Sequence, residues 1–547
     1  MSLRTTIRGV AFAAFIFFSA LAPAQAIKKQ ARDGAPQQAM TAAELAVLGD
    51  PFFKLVLKTK PNEVRFDEVV RLVKGATGTE HFFVVDEKII DPALGQTRRA
   101  VIGFKGTNQQ VVLDTNVMLS VIFDSNAIRP GFIEAWGWDD AKSRYNYYRV
   151  DNEGGTVSWK FRGTSIDADN LTEAQRNGTC MACHRNGGPV MKELPFPWNN
   201  WSSSRSQASY LTPGGANHWP IAEGTHLAAL VSAEDMETAF ILPALRQFNG
   251  RRIERLIKRS PAGVPIVTVG KQEVTDGKRA VRALFATTEY NVISSDGFSG
   301  LHPFPPQTSG PPSDVKIPDT FFLNANLLAG GGVPQYQGLT ISQARGFGTL
   351  LLVKPDEYKQ LVTASGINIG GQAGDSNFAW FVPEASHSDN HMVDILIQRG
   401  LITKQFAAAA LAVDVENPVF SSKRAGLLLF IPSTFRFKPV VNAGVPAAHP
   451  DDLTKAVITA LQAASPAVGS PEADFLAILR DPDPVKLLKQ RVQDYLTREQ
   501  ASLANAATRP AELKRLFDIV IARRREALLN PAFARLNETG NLLFAIP

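Results

Sequence analysis

Cys180-Met181-Ala182-Cys183-His184 holds the only two cysteines of the 547-residue chain, two residues apart, with an imidazole directly behind them. Thiols at that spacing stand roughly one helical turn apart. The order suits covalent attachment of haem: each thiol adds across one vinyl group of the porphyrin, and His184 is carried under the ring to bind the iron. Three other uses of the same residues stay open. One is a dithiol redox couple, although neither Gly nor Pro lies between the cysteines and no Trp precedes them. Another is half of a zinc site, although a structural zinc takes four ligands and the chain has no second cysteine pair. The third is a small structural disulfide.

The motif resembles the attachment site of a c-type cytochrome, and the resemblance is confined to the motif and its surroundings. It implies one haem c, covalently attached at Cys180 and Cys183, with His184 as proximal iron ligand and a redox partner protein. In many small c-type cytochromes a proline carbonyl past the motif accepts the other imidazole N–H, and Pro189 is the candidate here. A short sheet followed by C-x-x-C-H is also faintly similar to the cytochrome P460 family. Haem there is catalytic, five-coordinate at rest, and acts on hydroxylamine-type substrates. In that family the motif lies near the C-terminus, whereas more than 360 residues follow it here.

The far side of the iron separates the functions. A Met or His there makes an electron carrier; an open position makes a reactive site. Met191 is the first candidate, followed by Met236, His226 and His218, with no protein ligand as a further option. The expected function is therefore electron transfer by an exported monohaem cytochrome. The alternatives are a haem oxidoreductase with an open distal position, acting on a small molecule or peroxide, and a haem-based sensor. Arg185 suits a haem propionate as well as it suits solvent. Six tryptophans (136, 138, 159, 198, 201 and 219) and Tyr145, Tyr147 and Tyr148 surround the motif in sequence, as a haem-pocket wall or as ordinary core.

The N-terminus points to export. Arg4 and Arg8 precede an apolar run from Val10 to Leu21, and Pro23-Ala24-Gln25-Ala26 ends in a small-x-small cleavage site, so residues 1–26 read as a signal peptide. The expected address is the periplasm, where the c-type resemblance places haem attachment. No later stretch reaches the roughly 20 apolar residues of a membrane span. The formal charge of +6 falls to about +4 without the signal arginines and gives no reason to expect nucleic acid. Oligomeric state is not legible.

The elements that must position the motif suggest an α+β fold: a β-rich region at 27–300 carrying the haem, a Pro-rich linker at 301–320, a mixed region at 321–440 and a helical region at 441–547. A capping box at Thr41 and Glu44 and an apolar stripe at 66–73 predict helices. Strands are expected at 81–85, 100–104, 110–112 and 118–123, and 145–150 with 156–161 reads as a hairpin. Thr172 to Gln175 would open the haem-bearing helix. Further on, a helix is expected at 243–257, with strands at 265–269, 282–285, 348–353 and 378–382. His387 and His391 stand four apart, but Ser388, Asp389 and Asn390 look like caps for a helix at 392–398, which would leave His387 outside it. Helices at 404–413, from 483 and at 510–529 complete the reading, and Arg523-Arg524-Arg525 forms a basic helix end or a docking patch. N-P-x-F recurs at 417–420 and 530–533, each copy leading to an L-L-F segment closed by I-P, and suggests a duplicated unit.

Overall fold

Six runs between Thr79 and Thr164 each form a strand: β3 (Thr79–Asp86), β4 (Arg98–Lys105), β5 (Val117–Phe123), β6 (Ile128–Asp139), β7 (Arg144–Glu153) and β8 (Thr156–Thr164). With β1 (Lys28–Lys29) and β2 (Gln38–Ala39) they build an eight-stranded sheet in the order β2-β1-β8-β7-β6-β5-β4-β3. Only the β1–β8 pair is parallel; the rest is an antiparallel meander. The computed structural model describes residues 27–29, 38–86, 98–123, 128–153, 155–169, 171–172, 175, 179–182, 184, 186–189, 231, 233–286, 290–293, 314–317, 321–322, 344–364, 382–385, 387–440 and 450–529. Cys183, Arg185, Met191, Trp198, Trp201, His218, Trp219, His226, the signal segment, most of the linker and the second N-P-x-F copy lie outside them.

Successive strand residues point to opposite faces, so neighbours in sequence are divided between two cores. Phe82, Ala100, Ile102, Leu119, Ala135, Tyr148 and Trp159 join one, against Phe52 and the buried stripe Val69, Val70 and Val73 of α1 (Phe66–Lys74). Phe83, Val101, Met118, Trp136 and Tyr147 join the other, covered by α2 (Leu242–Arg255) and the turns leading into it. Gly103 leaves the space that admits the helix: a Cβ there would stand 2.7 Å from the Phe240 ring.

A buried carboxyl fastens the first core. Asp50 accepts from the Phe53 amide at 2.9 Å, Asn146 Nδ2 at 2.7 Å and the Tyr148 hydroxyl at 2.6 Å. Burial pushes its pKa up against the pull of those donors, and it pushes the Tyr148 phenol well above its usual range, so the phenol stays a donor.

The later part of the chain is mainly helical and has its own core. It comprises α3 (Gly277–Phe285), α4 (His387–Gln398), α5 (Lys404–Ala412), α6 (Asp452–Ala464), α7 (Pro471–Arg480), α8 (Pro484–Ala504) and α9 (Arg509–Leu529). Helix α5 is central because Ala407 to Ala410 are all fully buried; a helix apolar on every side must be surrounded. Arg424, itself buried, donates to the carbonyls of Val413, Asn417, Pro418 and Val419 and so fixes the first N-P-x-F turn.

The α+β expectation holds, with the sheet in the N-terminal half and helices at the C-terminus. The 145–161 hairpin and the Thr41 capping box form as expected. Several local expectations fail. Residues 282–285 continue α3, because Asp276 caps that helix at the Arg279 amide and its apolar side packs into the core. The 348–353 run is mostly a 3-10 segment (Ala344–Leu351), with Leu352–Val353 as its only strand. Helix α4 begins at His387, so His387 and His391 share a helix, and Ser388 and Asp389 are buried within it rather than capping it. Arg523 is no docking residue: it is buried, donating to Asn417 Oδ1 and to the Phe321 and Glu416 carbonyls.

Helix α4 gives the fold a pH dependence. Asp394 is buried, its Oδ1 has no hydrogen-bond partner among the described residues, and burial raises its pKa to about 7. The folded chain thus keeps a proton that the unfolded chain releases near pH 4, so this stability is complete below that pH and lost as pH rises through about 7. Asp394→Asn is expected to stabilise the protein by roughly 1–2 kcal/mol at pH 8 and negligibly at pH 4. Urea denaturation at the two pH values reads the difference.

Candidate cofactor attachment site

Cys180 to Ala182 forms a 3-10 turn, and the His184 amide donates to the Cys180 carbonyl at 2.9 Å. The motif therefore winds through one helical turn, as the spacing of its thiols requires. Thr172 and Gln175 exchange two bonds, the Thr172 amide donating to Gln175 Oε1 at 3.0 Å and the Gln175 amide to Thr172 Oγ1 at 3.4 Å; residues 176–178, over which the expected helix would run, lie outside those described.

Met181 anchors the turn. Its side chain is 1 % exposed, packed in the second core with Trp136, Trp138, Tyr145, Tyr147 and Phe248, while Cys180 is half-buried at the margin of that core. The aromatic wall is thus divided. Trp136, Trp138, Tyr145 and Tyr147 share the motif's face of the sheet; Trp159 and Tyr148 belong to the opposite core and cannot line a site at His184.

His184 is oriented from behind. Its Nδ1 lies 2.8 Å from the Gly188 carbonyl oxygen. A carbonyl only accepts, so Nδ1 carries a proton; in the neutral ring this leaves the lone pair on Nε2, the form in which imidazole ligates a metal. The expected acceptor was the Pro189 carbonyl; the acceptor is one residue earlier. The Gly187 amide donates to the His184 carbonyl at 2.8 Å, and this tight turn brings the Gly188 carbonyl under the ring before the chain reaches Pro189. Gly187 has φ +76°, and a Cβ on it would stand 2.2 Å from the Ser165 carbonyl oxygen, so only glycine fits.

Tyr147 is the partner that sequence reading missed as an individual. Its hydroxyl donates to the Gly187 carbonyl at 2.9 Å and the Gly188 carbonyl at 3.0 Å, and its ring centroid lies 5.1 Å from that of His184. The available signal was its alternation with Tyr145 on β7, which puts both rings on the motif's face. Tyr145 reaches α2 from the same strand, its hydroxyl shared between the Thr115 carbonyl at 3.3 Å and the Ala244 carbonyl at 3.4 Å; burial alone raises its pKa well above the usual value and keeps it a donor. Gly188 in turn rests against Leu245 and Phe248 of α2.

The turn places Cys180 and His184 together; Cys183 and Met191 lie outside the described residues, as do His218 and His226. Met236 is fully buried in the second core beside Phe240 and Ala244. His391 Nδ1 lies 3.5 Å from Asn249 Nδ2, the His387 side chain lies outside those described, and among the described residues no three metal-ligating side chains gather. Burial is the main reason its pKa falls to about 4, with Arg246 and Arg399 adding to the effect.

Comparison of the chain with protein-family models, curated proteins and solved structures finds no match. The site rests on its own geometry.

Tyr147→Phe should lower stability by about 1–1.5 kcal/mol by removing the one hydroxyl donor that the buried Gly187 and Gly188 carbonyls share. Gly187→Ala should cost more, about 2–3 kcal/mol, because strain at positive φ adds to the clash with Ser165. Chemical denaturation of the two variants checks both the size and the order.

Proposed function

We propose that the protein is an exported, periplasmic monohaem c-type cytochrome that passes electrons to a redox partner protein, with one haem c attached at Cys180 and Cys183 and His184 as the proximal ligand. The observation that carries the reading is the 2.8 Å contact from His184 Nδ1 to the Gly188 carbonyl oxygen, in a turn that also bears a thiol of C-x-x-C-H. A second hydrogen bond of this kind is what a metal-bound histidine needs to hold its ring and tautomer.

The donor set fits the group. Cys180 supplies a half-buried thiol, His184 an imidazole whose Nδ1 is engaged and whose Nε2 is left to ligate, and Trp136, Trp138, Tyr145 and Tyr147 a dry apolar backing for the turn. Bound there, haem supplies a one-electron couple at its iron. The chain's own part is orientation and exclusion of water. Tyr147 fixes the two carbonyls, Gly188 fixes the imidazole, and Met181 keeps the thiol-bearing turn from lifting off the sheet. Among the described residues no helix is long and apolar enough to cross a membrane.

With Met236 packed in the second core, the distal ligand falls to Met191, His218 or His226 or to none, and in the last case the protein is a haem oxidoreductase or sensor.

The test is the optical spectrum and intact mass of the exported protein, oxidised, reduced, and reduced with CO. The expected result is a mass higher than the polypeptide by one haem, lost in Cys180→Ala or Cys183→Ala, with a reduced spectrum that CO leaves unchanged. A CO shift would move the assignment to the open-site reading. An unmodified mass with no haem absorption would end both.

A further inference from the structure

Residues 258–271 form a protruding finger. The Ser260 amide donates to the Val264 carbonyl at 2.8 Å, the Ile266 amide to the Lys258 carbonyl at 3.0 Å, and Thr268 and Lys271 exchange both amide bonds at 2.8 and 3.1 Å. The finger is thus closed on its own backbone and offers no free strand edge over those residues. Nothing lies within 4 Å of where a Cβ would stand on Gly263 or Gly270. The 265–269 run that sequence reading made a strand is the outer half of this finger, held only by isolated bridges.

Its tip contradicts its own turn chemistry. Val269 (φ +53°) and Gly270 (φ +69°) are the central pair of a two-residue hairpin turn that requires positive φ at both positions and prefers Asn-Gly. A β-branched residue is a poor choice there. The other non-glycine residues at positive φ among those described are Gln109, Gln110, Thr115, Ser143, Asp414 and Ser465, all polar. The side chain bought at this strain is 92 % exposed, and Val264, Ile266 and Val267 are exposed beside it. Local strain retained on an exposed apolar side chain points to a use for that side chain.

Charge indicates the partner. Between Arg246 and Arg282 the sequence holds ten Lys or Arg and three Asp or Glu, and Lys258, Arg259 and Lys278 are among the exposed cations. At the base of the finger Lys258 pairs with Glu273 at 2.9 Å and Lys271 with Asp452 at 2.5 Å, while Glu273 is shared with Arg436 at 3.8 Å. Glu254 is shared among Arg251, Arg259 and Arg399. The few carboxylates are therefore divided among more cations than they can neutralise. An apolar tip on a basic base matches a surface that is anionic outside and apolar just beneath.

We propose that the 258–271 finger docks the protein on an anionic phospholipid surface, with Val264, Ile266, Val267 and Val269 entering the interface and the surrounding lysines and arginines facing the headgroups. Neither the finger nor its charge depends on the cofactor, so this docking stands or falls apart from the haem assignment.

The test is co-sedimentation of the full exported chain with vesicles of phosphatidylglycerol and phosphatidylcholine, and with phosphatidylcholine alone. Binding is expected only to the anionic vesicles, weakening as salt rises. Val269→Asn should produce two opposite effects: a higher melting temperature, because Asn-Gly suits the turn, and roughly tenfold weaker vesicle binding. Val267→Asp, at an exposed position, should weaken binding as much without loss of fold. Failure of the unaltered chain to sediment, equal binding to neutral vesicles, or unchanged binding by both variants would overturn the proposal. So would a concentration-dependent dimer in sedimentation velocity that Val269→Asn abolishes, which would assign the tip to a second copy of the chain.

Discussion

A sheet that is apolar on both faces cannot be completed by its own strands. The residues of β3 to β7 alternate, but both sets are hydrophobic, so each face needs a cover drawn from elsewhere in the chain. The first cover is local, formed by Phe52 and α1 ahead of the meander. The second comes from downstream: the turn at Cys180 and the helix that starts near Ala233. This need places the candidate site. Met181 is drawn to the sheet as part of the cover, and the cysteine and histidine around it are held where the cover meets solvent.

Positioning of His184 follows from that placement. Its ring bonds to a carbonyl four residues on, and that carbonyl is itself fixed by Tyr147 from the sheet. The histidine is thus referenced to the rigid part of the molecule through one peptide group rather than through its own loop. Gly187 makes the path short enough, since any side chain there would push the loop off Ser165. A motif legible in five residues depends for its orientation on residues from β7 and α2, which are distant in sequence.

What could be read ahead of the structure were the features fixed by neighbours in sequence. The Cys180–Ala182 turn, the Thr41 cap and the Gly-containing hairpin are local, and each forms. The second set of features was decided by distant contacts. Residues 282–285 look β-like because leucine and phenylalanine stand side by side at 284 and 285, yet Asp276 caps a helix that buries both. Ser388 and Asp389 have the chemistry of caps but lie inside α4, where Asn249 from α2 donates to Ser388. The acceptor for His184 was expected at Pro189 because the resemblance to small c-type cytochromes implies a proline carbonyl there; the tightness of the Gly187 turn, which decides the matter, is not legible in the motif. The membership of the tryptophans in two different cores follows only from which side of each strand they occupy.

The helix covering the second core also records how it came to fit. Between Ala233–Met236 and α2 lies a π-helical turn, Glu237–Ile241. Met236, Phe240, Ala244 and Phe248 recur every four residues and are all fully buried, although in an unbroken α-helix such a row would wind steadily around the axis and leave the sheet. The wider turn rotates less per residue and sets the row back, so one straight ridge can follow a flat surface. The extra residue works like a leap day, a single interpolation that keeps two incommensurate periods in step. Its position beside Gly103, where the sheet yields space to Phe240, makes the two irregularities halves of one adjustment.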